Sequence, residues 1–136
     1  MKITEKIVLQ AYPKKDGLVI TSNDTFYHKV KAKRVKEIRD ISRSVFSKYD
    51  KVTEYPVKFI FECFWFDKRR RDVDNIQPTC KAIIDGIVDA GVIIDDNTYY
   101  VVETRYVNPG HESYKNMEKH DKNTLVVKVT LKDSEV

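Results

Sequence analysis

The segment from Val57 to Phe66 constrains the fold more than any other. It is dense in aromatic and β-branched residues, with Val57, Phe59, Phe61, Cys63 and Trp65 on one face of an extended chain and Lys58, Ile60, Glu62, Phe64 and Phe66 on the other. A strand this apolar on both faces belongs in the middle of a sheet, with cover on each side. The chain must therefore supply partner strands beside it and amphipathic elements over it.

Both are legible. Ile3 to Ala11 alternates loosely, with Ile3, Ile7 and Leu9 on one side, and ends at Pro13, which predicts a first strand and then a loop over Gly17 to Tyr27. From His28 to about Tyr49, the residues Val35, Ile38, Ile41, Val45, Phe46 and Tyr49 recur at helical spacing. Lys29, Lys33, Lys36 and Arg43 fall outside that stripe, which predicts an amphipathic helix with a basic outer face. A second helix is predicted from near Pro78, tolerated in a first turn, to Ala90, burying Cys80, Ile83, Ile84 and Ile87 and capped by Gly91. Tyr99 to Val107 and Thr124 to Lys132 read as two more strands. In the last, Leu125, Val127, Val129 and Leu131 alternate with Thr124, Val126, Lys128 and Thr130, as in a sheet with one buried face. Pro109 to Asn123, polar and aperiodic, is expected to be a mobile loop. The pattern predicts an α+β fold with a mixed α/β arrangement: about four strands and two main helices in a single domain over residues 1–136.

Several function classes drop out. Cys63 and Cys80 lie in apolar settings without CxxC spacing, and there is no secretory signal, so both are expected as small buried hydrophobes in a reducing cytoplasm. His28, His111 and His120 have no metal-type spacing, which argues against zinc. The longest apolar run, Phe59 to Phe66, is interrupted by Glu62 and is one strand long, so no membrane span is expected. The formal net charge is only +4, but basic residues bunch at Lys29 to Arg39, Lys68 to Arg71 and Lys115 to Lys122. Distribution is a better sign of nucleic-acid binding than the total.

The chemistry concentrates between Lys68 and Asp96. Lys68-Arg69-Arg70-Arg71 abuts Asp72-Val73-Asp74-Asn75, and Lys81, Asp85-Gly86 and Asp95-Asp96 follow. Crowded carboxylates raise one another's pKa unless a cation intervenes, and flanking arginines suit a phosphate. Aspartates separated by one residue share a strand face or converge in a turn, and Asn75 with Pro78 favours a turn. Carboxylate oxygens are hard ligands for magnesium or manganese, and Asp96 can join as a third acid. Lys81 and Asp85, four residues apart, are neighbours on one flank of the predicted helix. A Ca²⁺ loop of the EF-hand type is excluded, because Ile76 and Gln77 stand where an oxygen ligand and a glycine belong, and no GK[ST] phosphate loop is present.

In order and spacing, Asp72-Val73-Asp74-Asn75-Ile76, Lys81, Asp85-Gly86-Ile87, Ala90-Gly91-Val92 and Asp95-Asp96 resemble the RusA family of Holliday-junction resolvases over Arg69 to Asp96. That family shows an Arg-Asp-x-Asp-Asn turn, a helix carrying a lysine and an Asp-Ala/Gly-Leu segment, an Ala-Gly turn and a terminal Asp-Asp. Some members place the lysine closer to the Asp-Asn pair, where this chain has Pro78. Lys81 is aligned here because it keeps its four-residue distance to Asp85. The resemblance implies a RusA-like fold and Asp72, Asp74 and Asp96 as metal-binding carboxylates for Mg²⁺, with Mn²⁺ as a substitute. It further implies Lys81 as the catalytic lysine, a homodimer, and a cytoplasmic enzyme of bacterial or phage origin that cuts four-way junctions and other branched DNA.

Lys68, Arg69, Arg70, Arg71, Lys29, Lys33 and Lys36 are the residues expected to hold the DNA backbone. Two alternatives stay open. One is a nucleic-acid binding module without catalysis, whose acids only shape a basic surface. The other is a phosphatase or nucleotidyl-transfer enzyme holding a metal through its DxD, for which Asp67 to Arg71 stand between the strand end and the aspartates.

Overall fold

A computed structural model of the chain describes residues 1–67, 69–109 and 123–134. Lys68 lies outside the described residues, as do His111, His120, the Lys115 to Lys122 cluster and nearly all of the predicted Pro109 to Asn123 loop. Four strands, β1 (Lys2–Gln10), β2 (Val57–Phe64), β3 (Val101–Val107) and β4 (Thr124–Asp133), form one mixed sheet in the order β1-β4-β2-β3. The helices are α1 (His28–Phe46), between β1 and β2, and α2 (Gln77–Asp89), between β2 and β3. This is the expected small α+β architecture.

β4 runs antiparallel to both β1 and β2, while β3 runs parallel to β2. It follows that β1, β2 and β3 all point the same way. Their carboxyl ends share one edge of the sheet, where the chain leaves β2 for Trp65 to Asp72 and enters β4 at Thr124. Crevices beyond the carboxyl ends of parallel strands are the usual ligand sites of such sheets.

The helices cover one face only. Ile3, Ile7 and Leu9 of β1, Val57, Phe59, Phe61 and Cys63 of β2, and Leu125, Val127, Val129 and Leu131 of β4 are buried together with Ile38 and Phe46 of α1 and Ile83 and Ile87 of α2. Stacked Phe59 and Phe61, with ring centroids 5.8 Å apart, and Tyr106, 6.0 Å from Phe61, form an aromatic row within this layer. Fully burying one such side chain contributes about 1.5–3 kcal/mol.

On the other face no helix lies among the described residues. Lys58, Ile60, Glu62 and Phe64 are only half-buried there, which corrects the expectation of a β2 covered on both sides. β4 departs in the opposite sense. Thr124, Val126 and Thr130 of its second face are buried too, so β4 has two buried faces where the alternation predicts one.

The two helices touch at a point that requires a glycine. A Cβ on Gly86 would lie 2.5 Å from the Arg39 carbonyl oxygen and 2.5 Å from Ser42 Cβ, so only hydrogen fits. Ser42 Oγ donates to the Ile83 carbonyl at 2.7 Å, and Arg39 grips Asp89 through two hydrogen bonds of 3.0 and 2.9 Å. Gly91 ends the second helix with φ of +79°, the left-handed conformation of a glycine cap.

Some boundaries shift for visible reasons. α1 ends at Phe46, three residues early, which frees Tyr49 to donate its hydroxyl to Glu5 of β1 at 2.5 Å. β3 begins at Val101, because Tyr100 and Val101 both donate backbone N–H groups to the Asn97 carbonyl in a turn that leaves Tyr99 84% exposed.

Candidate active site

Beyond β2, Arg71 is folded back on the residues that follow the strand. The Arg71 guanidinium lies 4.0 Å from the centre of the Trp65 ring and 5.9 Å from that of Phe66, and donates to Asp67 Oδ1 at 2.6 Å and to the Arg69 carbonyl at 3.1 Å. Burial pushes the Asp67 carboxyl up, but hydrogen bonds from Arg71 and from the Arg69 backbone outweigh it and hold the pKa below the ordinary value. Stacking with a partly desolvated guanidinium contributes about 1–2 kcal/mol. Arg71 is thus fixed, while Arg69 and Arg70 stay exposed.

With Asp72, Asn75, Thr21 and Asn23 these arginines and Trp65 line a groove of about 470 Å³. Its opposite wall, the loop from Lys14 to Tyr27, is pinned by residues that patterning alone does not mark. Arg34 is buried on α1, donates to the carbonyls of Val19 (3.1 Å) and Lys14, and stacks over Phe26 at 4.1 Å. Thr79 Oγ1 accepts from Ile20 N–H at 2.8 Å and donates to Ile20 O at 2.7 Å, so the first turn of α2 holds this loop like a neighbouring strand. Ser22 N–H donates to Asn75 O at 2.9 Å. The one available signal was negative: an arginine and a threonine on the apolar sides of their helices.

Asp72 flanks and Asp74 lies within a short 3-10 helix, Val73–Ile76, which runs directly into α2. Both carboxylates are exposed, and neither forms an ion pair with another described residue. Further along α2, Lys81 Nζ donates to Asp85 Oδ1 at 2.7 Å, the predicted i,i+4 pair, and also to Asp96 Oδ2. Asp96 is held in the turn after α2, where its N–H donates to Asp95 Oδ1 at 2.7 Å and Asp95 Oδ2 accepts from Asn97 at 3.1 Å. Asp95 therefore shapes the turn, and Asp85 anchors Lys81.

The electrostatics of this trio are well defined. Burial disfavours the Lys81 charge, but its two carboxylate partners more than compensate, so its pKa is raised. The hydrogen bond from Lys81, opposed by burial and aided by its charge, lowers the pKa of Asp96. Lys81 is a permanent cation at neutral pH and is suited to stabilising negative charge, not to accepting a proton.

Among the described residues, no three His, Cys, Asp or Glu side chains converge closely enough to hold a metal ion. Asp72 and Asp74 sit at the amino end of the α2 run, and Asp96 faces Lys81. Carboxylates stay apart unless a cation lies between them, and at Asp85 and Asp96 that cation is an ammonium. By donor chemistry Asp72 and Asp74, two exposed carboxylates without an ion-pair partner among the described residues, suit a hard divalent ion, whereas Asp96 is engaged by Lys81.

Of the α1 lysines, Lys29 and Lys33 are exposed and absent from the arginine groove. Lys36, 3.7 Å from Asp40, lines a different hollow with His28, Arg39 and Asp89. Cys63 and Cys80 are free and buried as expected. No helix among the described residues is long and apolar enough to cross a membrane. Compared with known proteins, the chain matches no family model and no curated sequence.

Proposed function

We propose that this chain is a magnesium-dependent endonuclease that resolves four-way junctions and other branched DNA by paired phosphodiester hydrolysis. The observation that carries this is the succession along one stretch of chain: an arginine groove, two exposed aspartates with no ion-pair partner among the described residues, and a lysine ammonium shared by two further aspartates. Binding of a polyanion, coordination of a hard cation and stabilisation of developing charge are the three tasks that phosphodiester hydrolysis sets.

Asp72, Asp74 and Asp96 would hold the magnesium or manganese ion. Such an ion supplies an activated water and neutralises charge on the phosphoryl group. Arg69 and Arg70 bind the backbone, while Arg71, locked by Trp65 and Asp67, sets the groove wall against which a phosphate is oriented. Lys81 donates to phosphoryl oxygens as negative charge grows on them, and Asp85 keeps it in reach. A homodimer follows from the substrate, since a junction has two strands to cut symmetrically.

A non-catalytic nucleic-acid binding module is favoured by one feature: Lys81 pairs with both Asp85 and Asp96, as acids that only shape a surface would. Incubating a labelled four-way junction, beside linear duplex of the same sequence, with magnesium or with chelator separates the two. Symmetric nicks on the junction only, and only with magnesium, are expected. Tight binding without cuts in magnesium or manganese would replace the enzyme with the binding module.

A further inference from the structure

The face of the sheet turned away from the helices carries a charge pattern that the fold does not need. In register across the strands, Lys2 lies opposite Lys132, which lies opposite Lys58; two residues on, Thr4, Thr130 and Ile60 line up; and two further on, Lys6 lies opposite Lys128. Arg105 continues the middle row on β3. Like charges directly opposite one another destabilise a sheet, so two such rows on one face cost stability in the isolated chain.

The acids do not cancel them. Glu103, opposite Lys58, is bonded to Arg105 at 2.9 Å, and Glu62 lies 3.9 Å from Lys128. Six basic side chains against two acidic ones leave an excess equal to the formal +4 of the entire sequence. The rest of the sequence is balanced in formal charge, so the surplus equals that of one sheet face over which no described helix lies.

We propose that this face docks the backbone of duplex DNA, as a surface separate from the acidic site. From Lys2 to Lys6 the lysines extend about 13 Å along a strand, at about 3.3 Å per residue. Over that length a duplex presents about eight phosphates, one per 1.7 Å of axis. Single strands are held by stacking on aromatic side chains, and of the aromatic residues in the described strands only the half-buried Phe64 belongs to this face, beside the aliphatic Val8, Ile60 and Val126. A second copy of the chain is disfavoured as occupant, because a two-fold contact would bring lysines against lysines. Together with the arginine groove at the sheet edge, the face gives one chain two places to hold DNA, as a branched molecule with several duplex arms requires.

The test is a salt titration of binding to a labelled linear duplex, read by anisotropy with chelator present, so that cleavage has no part in it. The triple variant Lys6→Ala, Lys58→Ala, Lys132→Ala is compared with wild type. The slope of log affinity against log salt is expected to flatten by about 2 to 3 as three phosphate contacts are lost, with no fall in melting temperature because repulsion is relieved. If the alanine variant does not fold, the corresponding glutamine triple is used. Unchanged affinity and slope would overturn the proposal. So would unchanged DNA binding with lost binding to phosphatidylserine vesicles, or wild-type self-association that the variant abolishes.

Discussion

Lys81 is the residue on which the proposed chemistry turns, because among the described residues it alone pairs with two acids from separate parts of the chain. With the Lys81 pKa raised by its carboxylate partners and the Asp96 pKa lowered by Lys81, both groups are charged at neutral pH. Lys81→Gln removes the charge and keeps the length. Junction cleavage in magnesium is expected to fall about 10²- to 10³-fold, the cost of losing one positioned donor. Stability should change by no more than about 1 kcal/mol, since the ion pair is half-exposed. Single-turnover rates beside a thermal melt check both; a rate unchanged within experimental error would leave Lys81 a surface ion pair. Asp85 was legible as its partner from the four-residue spacing alone. That Asp96 joins them was not, because the turn that aims it rests on Asp95, Asn97 and backbone hydrogen bonds, none of which leaves a periodic signature.

At the scale of elements, the helix pair and the seam between α1 and β1 set the frame on which the groove is built. Gly86→Ala forces a methyl group against Arg39 and Ser42, and is expected to destabilise the chain by about 1–3 kcal/mol in denaturant unfolding. No loss would mean that the helices are free to move apart. Burial raises the Glu5 pKa, but hydrogen bonds from Lys48 and Tyr49 bring it below its ordinary 4.5. A depressed carboxylate stabilises the fold above pH 4.5, and that contribution disappears as pH falls through the folded value. Melting temperature should therefore drop on acidification more steeply for wild type than for Glu5→Gln, and parallel curves would contradict it. The elements themselves were readable, since aromatic and β-branched density marked β2 and helical periodicity marked α1 and α2. Burial of β4 on both faces and the half-burial of β2 on one were not, because both depend on what packs over the assembled sheet, which alternation within a single strand does not record.

For the molecule as a whole, the topology separates the proposed tasks. Three strands ending at one edge place the arginine groove there, α2 carries the lysine and acids, and the opposite face of the sheet gathers the surplus positive charge. Basic clusters were visible in the sequence only where they were close along the chain, as in Lys29 to Arg39 and Arg69 to Arg71. The sheet-face lysines, scattered over three strands, come together only through register. Division of labour between binding and chemistry is the central claim, and Asp72→Asn tests it most directly. The variant keeps the shape of the groove and removes one carboxylate charge. With a labelled four-way junction in magnesium, cleavage is expected to disappear while binding stays at wild-type affinity or tighter. Cleavage persisting at the wild-type rate would remove Asp72 from the chemistry and, with it, the proposed metal site.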